Sequence, residues 1–210
     1  MREGELKGHR RAQRRDARRR LLDAAHGLLE QRGWNDISLE DITEVAQVAR
    51  TAFYRHFEDR QHLLTAMLDD VGLELGHAAD TWTAEWDGSV EELRRSLSGL
   101  VDIFVAHGRL LQAISDTASR DAEIRALYDA LADRLVTATA ARIDRDIATG
   151  HCLVRAAESL EVARALTWMN ERYLLASFGR APFSDPAAVL NALTTIWVST
   201  LYGSSAVRDL

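Results

Sequence analysis

Seven arginines crowd into eleven residues: Arg10, Arg11, Arg14, Arg15, Arg18, Arg19 and Arg20. Guanidinium groups at that density neutralise phosphates and release counterions, which is the chemistry of salt-dependent nucleic-acid binding. The charge around them is uneven. Residues 1–20 hold nine basic and three acidic side chains, a net of +6; residues 21–60 hold four and eight, a net of −4; residues 61–210 hold thirteen and twenty-one, a net of −8. A basic arm therefore precedes an acidic body, and the overall charge of −6 does not speak against a DNA partner. Catalytic chemistry has no such grouping. Asp, Glu and His are scattered, no Gly-rich phosphate loop or nucleophile elbow occurs, and His151-Cys152 lacks companion ligands at metal spacing. No enzyme activity, metal or cofactor is expected. One further residue asks for a partner: Asn170 is an uncharged polar side chain set in the apolar run from Leu166 to Leu175.

Helices have to hold these side chains. With 210 residues, 47% of them hydrophobic, and only two prolines, the chain can bury one large core or two small ones built from long helices. From near Arg14, the residues Leu21, Ala25, Leu28 and Leu29 follow the i, i+4, i+7, i+8 pattern, with Gly33 at the expected C-terminal cap. Ser38 reads as the N-cap of a second helix, with Asp41 in the capping-box position and Ile37 and Ile42 at staple spacing. Leu39, Ile42, Val45 and Ala46 form its inner face. A third helix, roughly Arg50 to His56, turns Phe53 inward and leaves Arg50, Thr51, Ala52 and Arg55 outward.

Helical pattern then runs from about Arg60 to Trp86, Val90 to Ala106, Arg109 to Ser115, Asp121 to Ala148, Ala156 to Phe178 and Pro186 to Tyr202. The stops are Gly88, Gly108, Gly150, Gly179 and Gly203, and Asp185-Pro186 gives an N-cap followed by proline at the first helical position. The expected fold is all-α with about nine helices. A basic arm and a three-helix unit occupy residues 1–59, and a larger helical unit with a dimerisation face residues 60–210, hinged at Glu58-Asp59. The helix bearing Asn170 is apolar nearly all round. The last helix has a broad face of Leu190, Leu193, Ile196, Trp197, Thr200 and Leu201, so these two are expected to hold a homodimer. The lone Cys152, the absence of an uncharged apolar run of about 18 residues and a start unlike a signal peptide give the expectation of a cytoplasmic protein without a membrane partner.

Residues 20–64 carry a family signature: Arg20-Leu21-Leu22-Asp23-Ala24-Ala25, Gly33-Trp34, Ile37-Ser38-Leu39, Asp41-Ile42, Val45-Ala46, Ala52-Phe53-Tyr54-Arg55-His56-Phe57 and Leu63-Leu64. This pattern resembles the TetR family. The resemblance implies that the third helix enters the major groove, with Arg50, Thr51, Ala52 and Arg55 at base edges and Tyr54, His56 and Arg60 on phosphates. The DNA-binding set is completed by Arg14, Arg15 and Ser38. Arginine suits guanine, and the Thr and Ala methyls suit thymine. Two positions depart from the pattern: Gln47 stands where the family usually has Gly, and Ala49 where it has a Ser or Thr cap.

The C-terminal part resembles one branch of that family, represented by a mycobacterial repressor with a long apolar tunnel, through Leu166 to Arg172, Ala176-Ser177-Phe178 and Ile196 to Gly203. The resemblance implies a lining of Leu93, Leu100, Phe104, Tyr128, Leu135, Thr139, Thr167, Asn170, Glu171, Leu175 and Trp197. Because consecutive helical residues lie about 100° apart, only one of Asn170 and Glu171 is expected to serve the tunnel, with Asn170 as the hydrogen-bond anchor. The implied function is repression on double-stranded operator DNA, relieved by a small hydrophobic or amphipathic effector. The rival reading is a ligand-independent dimeric DNA-binding or architectural protein, and activation rather than repression leaves no mark in these residues.

Overall fold

The computed structural model describes residues 3–84, 89–150 and 152–203, and among these there are eight α-helices and no strand. They are α1 (Glu3–Leu29), α2 (Leu39–Ala46), α3 (Arg50–Phe53), α4 (Arg60–Ala84), α5 (Val90–Ala118), α6 (Ala122–Ala148), α7 (Ser159–Phe178) and α8 (Pro186–Tyr202). The chain divides into two compact units, the first ending at Leu68 and the second beginning at Asp69. The division falls inside α4 and not at Glu58-Asp59. The first turns of that helix belong to the first unit: Arg60 donates to the Trp34 carbonyl at 3.2 Å and to the Ile37 carbonyl, and Leu63, Leu64 and Met67 are buried.

In the first unit α1 starts at Glu3, well before Arg14, because the arm contains good helix formers and no proline. It ends at Leu29. Gly33 is not its cap; with φ −66° and ψ 152° it leads into a 3-10 turn, Trp34–Asp36. The second start is as expected. The Ser38 hydroxyl accepts from the Asp41 amide at 3.1 Å, while Asp41 Oδ2 accepts from the Ser38 amide at 2.7 Å. The bond from the Ser38 hydroxyl, then that from its amide, with Arg32 at 3.0 Å, hold the Asp41 carboxyl at about 2 against an ordinary 3.8.

Ile37 and Ile42 are buried beside this cap. Val45, expected on the inner face, is 57% exposed, because that face centres on the i, i+4 pair Ile42 and Ala46. Helix α2 ends at Gln47, which takes the left-handed conformation at φ 51° and ψ 44°. Arg20 Nη2 holds the Gln47 carbonyl at 2.9 Å, and the Val48 amide closes the turn on the Thr43 carbonyl at 3.0 Å. Helix α3 is shorter than expected, a single turn with no side-chain cap at Ala49. Phe53 and Phe57, their rings 5.5 Å apart and both buried, anchor it.

The second unit packs α5 against α6, α7 and α8, and α6 against α7. Helix α5 runs without a break through Gly108, so the two helices predicted on either side of that residue are one. The glycine is there for proximity: a Cβ at this position would lie 2.5 Å from the Phe178 carbonyl oxygen. By length and composition α5 also passes as a membrane span, an outcome that the absence of an uncharged run did not anticipate; half of that stretch is buried among the other helices. The predicted stop Gly88 lies outside the described residues.

Asp121 caps α6 by accepting from the Glu123 and Ile124 amides at 3.0 and 3.1 Å. Asp185 caps α8 through the Ala187 amide at 3.2 Å, and α8 has the predicted limits. Helices α6 and α8 are also tied by charge: buried Arg142 lies 3.3 Å from buried Asp146, which accepts from the Tyr202 hydroxyl at 2.8 Å. Burial, and then donation to Asp146, raise the Tyr202 pKa.

The left-handed turn is the feature of the first unit most open to test. Gln47→Gly removes its Cβ strain and is expected to raise the unfolding free energy by up to about 1 kcal/mol, whereas β-branched Gln47→Val is expected to lower it by about 1 kcal/mol. Urea denaturation of the three proteins measures both; equal midpoints contradict a strained turn.

Candidate DNA-binding surface and effector cavity

On the first unit the anchoring of Phe53 and Phe57 leaves Arg50, Thr51, Tyr54 and Arg55 exposed, with Ala52 and His56 half-buried. These six residues share one short segment, as the sequence implied. Arg50 is already engaged. It pairs with the Glu40 carboxylate, donates to the Tyr54 hydroxyl at 3.4 Å and stacks its guanidinium 5.9 Å from the Tyr54 ring centre. The Tyr54 hydrogen bond and then the Glu40 charge raise its pKa further.

Arg60 is turned the other way. Besides the Trp34 and Ile37 carbonyls it covers the Trp34 indole at 5.0 Å, and burial lowers its pKa, so the phosphate role expected for it gives way to an internal one. Ser38 remains exposed, but its hydroxyl both donates to Asp41, at 2.6 Å, and accepts from it. Within the basic arm Arg15 is exposed, Arg18 lies over the Phe57 ring at 5.5 Å and Arg20 is taken by Gln47. The side chains of Arg10, Arg11 and Arg14 lie outside the described residues.

The second unit holds a partly open cavity of about 110 Å³. Of the expected lining, Leu100, Phe104, Tyr128, Leu135, Thr139, Thr167, Asn170, Glu171, Leu175 and Trp197 are on its wall. Leu93 is not; it is fully buried in the core of the same unit. Residues the sequence did not single out complete the wall: Leu75, Ala78 and Ala79 from α4, Ser96, Leu97 and Leu111 from α5, Leu131, Ala132 and Ala138 from α6, and Trp168 from α7. Small Ala positions carry no signal separating a cavity wall from a helix contact. The α4 and α5 residues continue the helical stripes already seen in the pattern.

Asn170 and Glu171 both face the cavity, as the implied lining had them, although the helical period alone gave one; the wall takes a wide arc of α7 that includes Thr167, Trp168 and Leu175. Asn170 Oδ1 accepts from the Trp197 indole nitrogen at 2.9 Å, a buried link from α7 to α8 that also fixes the amide orientation. Glu171 accepts from the Tyr128 hydroxyl across to α6. Burial first, and the Glu171 bond second, raise the Tyr128 pKa.

A model described as "Bacterial regulatory proteins, tetR family" matches residues 21–67, and one described as "Transcriptional regulator EthR, C-terminal domain" matches residues 93–203. The chain belongs to the TetR family. It is 31% identical over 188 residues to the HTH-type transcriptional regulator EthR of Mycobacterium tuberculosis, covering 88% of this chain and 87% of that protein. The EthR of Mycolicibacterium smegmatis is 25% identical over 189 residues, with 89% and 87% covered. Among solved structures, a putative transcriptional regulator from Saccharomonospora viridis in complex with choline has a TM-score of 0.71 at 18% identity, covering 88% of this chain and 97% of that one. The TetR family regulator PfmR from Thermus thermophilus has a TM-score of 0.69 at 20% identity, covering 84% and 96%.

This TetR-family chain is a helix-turn-helix transcriptional regulator. Its acidic neighbour to the reading residues sets up a test. Glu40 pairs with Arg50 and puts a negative charge beside the exposed face of α3, so it would compete with any phosphate or base that Arg50 meets. Glu40→Gln is expected to tighten binding to a duplex selected from random DNA by about three- to tenfold at low salt, with the gain shrinking as salt rises. Fluorescence titrations at several salt concentrations measure it, and an unchanged affinity would place Arg50 off the DNA.

Proposed function

We propose that this regulator is a homodimeric repressor that reads a near-palindromic operator in the bacterial cytoplasm and leaves it when a small hydrophobic or amphipathic molecule fills the cavity. Binding, not catalysis, is the activity. The observation that carries the reading is a mainly apolar, partly open cavity in a chain whose other unit exposes a helix-turn-helix. Similarity to EthR along most of the chain supports it.

In this reading Arg50, Thr51, Ala52 and Arg55 meet base edges, while Tyr54, His56 and the exposed Arg15, with Arg10, Arg11 and Arg14, meet phosphates and set the register. Two copies joined by a two-fold axis put their recognition helices in successive major grooves, about 34–36 Å apart. The joint is made by α7 and α8. Leu193 and Leu201 are buried in their own protomer's core, so the outward apolar face falls to residues such as Tyr173, 38% exposed, and Ile196, 41% exposed. Asn170, its oxygen taken by Trp197, offers amide hydrogens to an acceptor on the effector. The effector relieves repression by preferring the DNA-incompetent conformation; equal affinity for both would shift nothing.

Two measurements bear on the parts. Arg50→Ala is expected to relax sequence preference with little change in the salt slope, whereas replacing Arg10, Arg11, Arg14 and Arg15 by Ala weakens binding to selected and scrambled duplexes alike and flattens the slope by up to about four. A slope unaltered by the fourfold change contradicts the arm's role. Separately, Ile196→Glu is expected to sediment as a monomer at micromolar concentration and to lose most DNA affinity, while Leu193→Glu should impair folding itself, because it puts a charge in the protomer core. A dimeric Ile196→Glu protein that still binds DNA fully would move the interface away from α8.

A further inference from the structure

We propose that the effector is a lipophilic amine whose protonated nitrogen is read by Glu171 while its apolar tail lies along α5. This rests on the effector reading above and specifies its chemistry. Among the described lining residues Glu171 carries a formal charge and no Lys, Arg or His accompanies it. A carboxylate on a largely apolar wall, with the Tyr128 phenol as its donor, is a ready partner for a cation entering the cavity.

The surroundings suit that ligand. Tyr128, which donates to Glu171, has its ring 6.3 Å from that of Trp168, so aromatic rings that can attract a cation share the wall with the carboxylate. Asn170 Oδ1 is held by Trp197, which leaves Glu171 as the strongest acceptor on the wall. An ammonium offers it charge-assisted hydrogen bonds in place of the single phenolic one. An anionic head group would instead meet like charge. The rest of the wall is mostly Leu and Ala with Phe104 and a few uncharged polar residues, and its α5 residues run from Ser96 to Leu111, roughly 22 Å at about 1.5 Å per residue. That length takes an alkyl or aryl tail and has no charge to reward a second polar end.

n-Octylamine and 1-octanol have the same tail and differ in the head, so titrating both into the full-length protein by calorimetry isolates the nitrogen. The wild type is expected to bind octylamine at least about tenfold more tightly than octanol. Glu171→Gln, which keeps an acceptor for Tyr128, is expected to erase that preference and leave octanol binding in place. Leu135→Trp, which fills the cavity, is expected to remove both and so excludes amine adsorbed on the acidic surface. Equal affinities for the two probes in the wild type, or an amine preference that survives Glu171→Gln, overturn the cationic head while leaving the cavity as an effector site. Failure of both probes to bind, or binding that survives Leu135→Trp, removes the effector reading and this proposal with it. If Glu171→Gln does not fold, as judged by circular dichroism, the wild-type comparison of octylamine, octanol and octanoate decides: amine tightest supports the proposal, and octanoate equal or tighter overturns it.

Discussion

A helical core that leaves about 110 Å³ unfilled forgoes packing that most interiors keep. The helices of the second unit must therefore be held apart along one stretch and tightly joined elsewhere. The joints are specific. Gly108 lets α5 touch the end of α7, Asn170 and Trp197 link α7 to α8, and Arg142, Asp146 and Tyr202 bind α6 to α8. Each lies in the same unit as the cavity and resists its collapse. A ligand that fills the void restores the missing contacts, so the unit that binds it is also the unit it stabilises.

Charge in the first unit is likewise divided between internal and external tasks. Arg60 fastens the start of α4 to the turn before α2, Arg20 clamps the left-handed residue Gln47, and Arg18 covers Phe57. The acids follow the same logic, with Asp41 capping α2 and Glu40 holding Arg50. Fewer cations are thus available to a DNA backbone than a count of arginines implies, and the fold of the reading domain depends on the others.

Much of this was legible in the residues. Capping signals are local chemistry, so Ser38 with Asp41 and Asp185-Pro186 placed two helix starts correctly. The family pattern brought ten of eleven expected residues to the cavity wall. What was not legible depended on partners distant in sequence. Gly108 has the appearance of a stop and is a contact point with Phe178. Arg60, Arg142 and Asp146 have the appearance of surface charge, and their partners are set only by packing. Leu93 belongs to the same apolar stripe as the wall residues of α5 but is fully buried in the core. Asn170 and Glu171 both reach the wall because its width, unlike the helical period, is a property of several helices together.

The one-turn recognition element has a consequence for how such a protein changes over time. Its hold on the domain comes from Phe53 and Phe57, which point inward, while Arg50, Thr51 and Arg55 contribute exposed surface and little core. Substitution at exposed positions away from caps and cores usually alters stability by less than about 0.5 kcal/mol. The vocabulary of the reading head is therefore nearly independent of the grammar that folds it. In a duplicated copy the exposed residues of α3 can change in two or three steps while the scaffold and the cavity stay as they are.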